Sequence, residues 1–90
     1  MIDEVDFLVG RHLRRRRRLL GLTQQELGAA CGISFQQVQK YECASNRISV
    51  AMLWRLACVL EVEIGYFFAG APRRSAEAHH VSRPARAEAA

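Results

Sequence analysis

Two glutamines and a lysine recur at three- and four-residue spacing in the stretch "FQQVQKYE", as Gln36, Gln39 and Lys40. In a helix with Val38 directed inward, positions i, i+3 and i+4 share one outward face. An amide side chain can bond bidentately to N6 and N7 of adenine, and a lysine can reach O6 and N7 of guanine. This face suits the major groove of DNA. The alternative is an ordinary solvated helix, because Gln and Lys are good helix formers.

Capping signals place one short helix on either side of a tight turn. In "TQQE", Thr23 and Glu26 form a capping box, in which each side chain accepts from the backbone N–H of the other residue. In "SFQQ", Ser34 and Gln37 repeat the pattern, and Gly32 supplies the turn between the two helices. Short helices joined by a turn of this length are typical of a helix-turn-helix. Its expected apolar interior is Leu27, Ile33 and Val38.

The same signals predict the whole architecture. Helices are expected at about 6–20, 24–31, 35–43, 50–60 and 65–69. Gly21, Gly32 and Gly70 lie where helices are expected to end, and Ser49 can cap the fourth helix. No window alternates apolar and polar residues, so strands are not expected. The sequence therefore predicts an all-α fold, a compact bundle of five short helices.

Composition and charge place limits on the class of protein. The 90 residues allow one small domain and carry a net charge of +4, which mildly favours a polyanionic partner. Cys31, Cys43 and Cys58 show neither ligand nor redox spacing, which indicates free thiols in a reducing compartment. No apolar run approaches the ~20 residues of a membrane span, and the acidic start does not resemble a signal peptide. We therefore expect a cytoplasmic protein without membrane contact.

The chain divides by composition into three parts. We expect a lead-in with the start of helix one at 1–9, a folded domain at 10–70, and a disordered Ala/Arg/Pro tail at 71–90. The tail histidines, His79 and His80, are interpreted as solvated residues, because no third ligand type lies near them. The sequence contains no catalytic constellation, and we predict neither a metal site nor a cofactor nor an enzyme activity.

Five consecutive arginines, Arg14 to Arg18, precede the capping box. Because an α-helix turns about 100° per residue, these five side chains spread around the axis and cannot form one basic face. Leu13 and Leu20 share the inward side, and geometry alone leaves either Arg16 or Arg17 as the partly buried arginine. A buried guanidinium needs a carboxylate partner.

The stretch "GLTQQELGAACGISFQQVQKYECASNRIS" resembles the phage-repressor (Cro/CI-like, XRE) family of helix-turn-helix transcriptional regulators. The resemblance covers roughly residues 10–69 and rests on the "TQ-E-L" opening, the "G-I-S" turn and the closing "Y-E". It implies a lambda-repressor-like five-helix domain that binds double-stranded DNA as a homodimer, on an operator with two half-sites. It also implies a structural ion pair between Arg17 and Glu42.

Specific roles follow for the residues of the helix-turn-helix. The residues expected to contact bases are Phe35, Gln36, Gln39 and Lys40. The residues expected to contact the DNA backbone are Thr23, Gln24, Ser34, Ser45, Asn46 and Arg47. Phe35 departs from the glutamine that is frequent in phage repressors. Its ring is expected either to contact a thymine methyl or to pack against the domain.

Two other functions are compatible with the sequence. One is the antitoxin of a toxin–antitoxin pair, although the tail lacks apolar anchors at helical spacing. The other is the controller protein of a restriction–modification system, which is equally short.

The sequence contains more aromatic residues than a small core needs, namely Trp54, Tyr66, Phe67 and Phe68. We expect either Phe67 or Phe68 to be buried and the remainder to form a dimer patch.

Overall fold

A computed structural model describes residues 3–72, which form four α-helices followed by a 3-10 helix and contain no strand. The elements are α1 (Glu4–Leu19), α2 (Gln24–Cys31), α3 (Phe35–Glu42), α4 (Val50–Leu60) and the 3-10 helix (Ile64–Phe68). The prediction of a compact all-α helix-turn-helix domain is confirmed. Most of the predicted tail, 73–90, with His79 and His80, lies outside the described residues.

Two details of the predicted architecture are wrong. The fifth element is a 3-10 helix, in which the amide of Tyr66 donates to the Glu63 carbonyl three residues earlier. It is only five residues long and lacks a side-chain cap, so nothing favours a continued α-helical ladder. The first helix begins at Glu4 and not at residue 6, because the Asp3 carboxylate accepts from the amide of Val5 at 2.8 Å.

The predicted caps hold the helix-turn-helix at both of its helix starts. Thr23 Oγ1 accepts from Glu26 N at 3.0 Å, and Glu26 Oε1 accepts from Thr23 N at 2.8 Å. Ser34 Oγ accepts from Gln37 N at 3.1 Å, but the Gln37 side chain makes no bond to the Ser34 amide, so this start has a simple cap and not the predicted capping box. Gly32 ends α2 in the left-handed region with φ of 76°. A residue with a Cβ adopts this conformation only at a cost, which explains a glycine at this turn.

A continuous apolar core lies between the helices. Its fully buried side chains are Leu13, Val38, Leu56, Leu60, Phe67 and Leu27. Of the two adjacent phenylalanines, Phe67 is the buried one, and Phe68 is 40% exposed. The 3-10 helix is fixed on α1, because Tyr66 Oη donates to the His12 carbonyl at 3.1 Å. Trp54 remains 64% exposed on α4.

Two glycines set how closely the backbones approach. A Cβ on Gly10 would lie 2.6 Å from the Tyr41 carbonyl oxygen, so α1 crosses the end of α3 at backbone contact. A Cβ on Gly28 would lie 2.6 Å from the Ile33 carbonyl oxygen, which brings α2 against the turn. The positions of α2 and α3 relative to α1 therefore depend on the absence of these two side chains.

One buried ion pair joins α1 to α3. Arg17 Nε and Nη2 donate to the two carboxylate oxygens of Glu42, at 2.5 and 3.1 Å, and both residues are 8% exposed. Arg17 Nη1 also donates to the Leu22 carbonyl at 2.8 Å. Arg16 is the neighbour that stays half-buried, with its Nε donating to the Leu60 carbonyl at 2.8 Å. The fold thus assigns Arg17 to the carboxylate and Arg16 to a helix end.

We predict that Glu42→Ala lowers the free energy of unfolding by roughly 3–5 kcal/mol, because it leaves a buried guanidinium without its partner. Chemical denaturation followed by circular dichroism measures this change. Asp6→Ala is the matched control, because it removes the carboxylate of an exposed ion pair with Arg47. It should change the free energy of unfolding by less than about 1 kcal/mol. Equal effects of the two substitutions would contradict a special role for the buried pair.

Candidate nucleic-acid interface

The outward face of α3 is formed by polar side chains over a buried apolar one. Gln36, Gln39 and Lys40 are all exposed, whereas Val38 is completely buried. Glu42 is buried at the C-terminal end of the same helix. The ion pair and the core therefore hold one side of α3 rigidly, and the opposite side presents two amides and one ammonium to solvent. This is the arrangement that contact with base edges requires.

Phe35 lies at the first position of α3, directly after the Ser34 cap. Its ring is 44% exposed and is not one of the side chains of the core cluster. An apolar ring is thus present at the N-terminal end of the exposed face, next to Gln36. Recognition helices contact base edges with residues near this end.

The Gln24 side chain bonds a carboxylate within the domain. Its Nε2 donates to Glu42 Oε1 at 3.1 Å, and the side chain is half-buried. The Glu42 carboxylate therefore accepts from both Arg17 and Gln24, which ties α2 to the other two helices. Sequence spacing gave no signal for this contact, because 18 residues separate the two partners. The amide retains a second N–H that this bond does not use.

The segment after α3 is fixed to the end of that helix. The amides of Ser45 and Asn46 donate to the Lys40 carbonyl at 2.9 and 3.3 Å, and Ala44 adopts a positive φ of 62°. The Ser45 hydroxyl donates to the same carbonyl at 3.3 Å. Asn46 and Arg47 are exposed beyond it. The chain thus presents these two side chains at a defined position beside α3.

Arg47 is held by an acidic residue of α1. Its Nη2 lies 2.9 Å from Asp6 Oδ2, and its Nε lies 3.1 and 3.2 Å from the two carboxylate oxygens. The hydrogen bond from Arg47 lowers the pKa of Asp6 below its ordinary value. The carboxylate is therefore ionised at neutral pH, and the pair is lost only when the pH falls through that lowered pKa. No local sequence pattern indicates Asp6 as the partner of Arg47, because 41 residues separate the two.

The hydroxyl groups of the two capping residues of the helix-turn-helix can still donate a hydrogen bond. Thr23 and Ser34 are exposed, and each hydroxyl oxygen accepts from a backbone amide in its cap. A hydroxyl that accepts in this way can still donate its own proton to a phosphate oxygen. Both side chains lie at helix starts, where the dipole of the helix favours anions.

Cys43 lies at the end of α3 and is exposed. Its sulfur is 3.4 Å from the Ser45 hydroxyl oxygen. The hydrogen bond with Ser45 lowers the pKa of the Cys43 thiol, whereas burial raises the pKa of Cys31 in the core. Cys58 is exposed on α4. The three thiols therefore differ in environment, although the sequence gives each the same chemistry.

The sequence pattern of the helix-turn-helix family HTH_3 matches residues 13–67. An uncharacterized HTH-type transcriptional regulator of Sinorhizobium fredii is 48% identical over 70 residues, which are 78% of this chain and 49% of that protein. The chain spans about half the length of the first curated relatives that it matches.

Solved structures share the arrangement of helices. The restriction-modification controller protein C.AhdI from Aeromonas hydrophila has a TM-score of 0.66 and 27% identity, over 69% of this chain and 94% of that chain. The P22 c2 repressor protein, solved in complex with a synthetic operator, has a TM-score of 0.63 and 25% identity. That match covers 66% of this chain and 89% of the repressor chain.

Two kinds of feature are not found among the described residues. Within the range 3–72, no helix is long and apolar enough to cross a bilayer. In the same part of the chain, no group of three or more His, Cys, Asp or Glu side chains is placed to hold a metal ion.

We predict that a thiol-reactive disulfide reagent at neutral pH labels Cys43 fastest and Cys31 slowest, because reaction requires the thiolate and access to it. Labelling of single Cys→Ser variants assigns each rate. Ser45→Ala removes the hydrogen bond that lowers the Cys43 pKa, so it should slow Cys43 and leave the exposed Cys58 unchanged. If Ser45→Ala did not alter the rate at Cys43, this hydrogen bond would have no effect on the thiol.

Proposed function

Because this chain belongs to the helix-turn-helix family of the phage-repressor (Cro/CI-like, XRE) type, we propose that it is a sequence-specific DNA-binding transcriptional regulator. In this proposal α3 enters the major groove. Phe35, Gln36, Gln39 and Lys40 contact the bases. The supporting observation is that these four side chains are exposed on a helix whose opposite side is fixed by a buried ion pair.

The amides and the ammonium provide the direct contacts of the proposed complex. Gln36 and Gln39 can each bond an adenine bidentately, and Lys40 can reach a guanine. Phe35 can contact a thymine methyl, since its ring is half exposed at the N-terminal end of α3. Side chains on a rigid helix keep their positions relative to one another, which limits the base sequences that satisfy all of them.

The phosphate contacts come from elements on both sides of α3. Thr23, Gln24 and Ser34 lie at the starts of α2 and α3, and Ser45, Asn46 and Arg47 follow α3. In the proposed complex these side chains fix the orientation of α3 and carry no sequence information themselves. Arg47 must exchange its contact with Asp6 for a phosphate, or share its guanidinium between the two.

The proposed binding unit is a homodimer on an operator with two half-sites. The P22 c2 repressor, which shares this fold, is known in complex with an operator. Large apolar side chains are exposed outside the face of α3, and they include Trp54 at 64%, Val50 at 86% and Phe68 at 40%. Such side chains can form a dimer contact. The two DNA-binding domains of a symmetric homodimer bind half-sites whose centres are about one helical turn, ~34 Å, apart.

A second candidate function is that of a controller protein of a restriction–modification system. The observation in its favour is that C.AhdI matches this chain along 94% of its own length. A controller protein also binds operator DNA, so the two candidates share one interface. Deletion of the gene, followed by measurement of transcript levels and of resistance to phage infection, distinguishes them. Loss of protection against unmodified phage DNA would favour the controller protein.

We predict that Gln36→Ala and Lys40→Ala each cost about 1–3 kcal/mol of binding and relax the preference at particular operator positions. Arg47→Ala should weaken binding to all sequences alike. The slope of the logarithm of the binding constant against the logarithm of the salt concentration should become shallower by about one unit. Selection from a random duplex pool, carried out on the wild type and the three variants, measures this contrast. The wild type should enrich a palindrome.

An unchanged preference in both Gln36→Ala and Lys40→Ala would show that α3 does not contact the bases. If the wild type enriched no motif at all, the proposed sequence-specific function would be wrong. Gln25→Ala is a matched control, because Gln25 is an exposed glutamine of α2 that lies outside the proposed contacts. It should retain the motif of the wild type.

We also predict that Asp6→Asn strengthens binding to duplex DNA several-fold. The substitution removes a carboxylate that competes with phosphate for Arg47 and also removes a negative charge beside the proposed interface. Fluorescence anisotropy with a labelled duplex measures the change. Glu4→Gln removes the same charge from an exposed position of α1 and should have a smaller effect. The gain should vanish when Arg47→Ala is added, and a gain that persisted would exclude the proposed competition.

A further inference from the structure

Four exposed arginines form one stripe along the outer side of α1. Arg11, Arg14, Arg15 and Arg18 follow one another at i, i+3, i+4 and i+7, and all four are exposed. At about 100° per residue they lie within a sector of roughly 100°, on the side of α1 opposite the buried Leu13. We call these four residues the arginine stripe. The run of five arginines is therefore divided by the fold, with its other two members turned towards the protein.

The arginine stripe has no carboxylate partner within the range 3–72. The two ion pairs found there use Arg17 and Arg47. Like charges at i, i+3 and i, i+4 destabilise a helix, and the stripe contains four such pairs, 11–14, 11–15, 14–18 and 15–18. Among the four arginines, only Arg18 belongs to the last turn of α1, where the helix dipole favours a cation. Repulsion between these arginines therefore lowers the stability of α1, and no ion pair within residues 3–72 compensates for it.

Apolar side chains lie next to the stripe. Leu19 is 71% exposed and Phe7 is 50% exposed, and Leu8 is half-buried along the same outer surface. A phosphate backbone offers no partner for these apolar groups, whereas a protein segment that alternates carboxylates with apolar residues satisfies both kinds of side chain. The composition of this surface thus favours a protein over a nucleic acid.

The stripe is turned away from the contact between α1 and α3. Gly10 and Arg17 lie on the side of α1 that contacts α3, at Tyr41 and Glu42. At about 100° per residue, the centre of the arginine stripe is rotated by roughly 100° around α1 from these two residues. The stripe therefore faces neither the core nor α3.

We propose that the arginine stripe is a docking surface for an acidic amphipathic helix of a partner protein. Carboxylates at i, i+3, i+4 and i+7 on that helix pair with the guanidinium groups, and leucines beside them cover Leu19 and Phe7. Arginine is suited to this contact, because its planar fork binds a carboxylate through two parallel hydrogen bonds. This surface adds a protein partner to the proposed DNA-binding function and does not depend on it.

The test uses a synthetic helical peptide with glutamates at i, i+3, i+4 and i+7 and leucines at the flanking positions. Binding of the labelled peptide to the whole chain is followed by fluorescence anisotropy at physiological salt. Arg11→Glu and Arg15→Glu should each weaken binding by about tenfold or more, through loss of one charge-assisted pair. Arg55→Glu makes the same charge change on an exposed residue of α4 and should have little effect.

Several results would overturn the proposal. They are no binding of the peptide, equal binding of a scrambled peptide of the same composition, or equal losses in Arg55→Glu and Arg15→Glu. Preferential, stripe-dependent binding to a random duplex or to phosphatidylserine vesicles would assign the surface to phosphate groups instead. Operator binding by Arg15→Glu should stay close to that of Arg55→Glu, which makes the same charge change, so failure here and failure of the proposed function are separate results.

Thermal melts provide a measurement that requires no ligand. Arg15→Gln removes two of the like-charge pairs, so the melting temperature should rise by a few degrees. Arg55→Gln on α4 is the matched control and should not stabilise the chain comparably. A lower melting temperature for Arg15→Gln would show that the stripe stabilises α1, which would remove the reason for invoking a partner.

Discussion

The buried contact between Arg17 and Glu42 is the constraint on which the proposed interface depends. Arg17 extends from α1, Glu42 ends α3, and Gln24 brings the start of α2 to the same carboxylate at 3.1 Å. A charged pair removed from water stabilises a fold only if its hydrogen bonds are well satisfied. Here the guanidinium bonds both carboxylate oxygens and a backbone carbonyl. One cluster of polar groups thus sets the mutual positions of three helices.

This constraint leaves the other side of α3 exposed and able to contact a partner molecule. Val38 and Glu42 occupy the inner side, whereas Phe35, Gln36, Gln39 and Lys40 remain exposed on the outer side. Close backbone contacts reinforce the arrangement, since neither Gly10 nor Gly28 has room for a Cβ. A helix of eight residues is marginal on its own, and tertiary packing accounts for its stability here. Rigidity at the inner side is therefore a condition for selective contacts at the outer side.

Arginines illustrate how position assigns different roles to one residue type. Arg17 lies in the ion pair, Arg16 bonds the carbonyl at the end of α4, and Arg47 contacts Asp6 beside the proposed DNA contacts. The arginine stripe points away from all three contacts. A basic segment in a sequence therefore does not by itself indicate a nucleic-acid arm. The burial of each side chain and its distance to a carboxylate distinguish the roles.

The sequence by itself determined the helices and the turn, because capping boxes, glycines and apolar spacing act between residues at most a few positions apart. It also determined that Gln36, Gln39 and Lys40 share a face. Geometry alone left Arg16 and Arg17 equivalent, and only a family resemblance indicated Glu42 as the partner. The contacts of Gln24 with Glu42 and of Arg47 with Asp6 were decided by the tertiary structure, as were the 3-10 form of the last helix and the burial of Phe67. These features depend on packing between residues far apart in sequence. Local sequence patterns involve only near neighbours, so they do not indicate which distant residues come into contact.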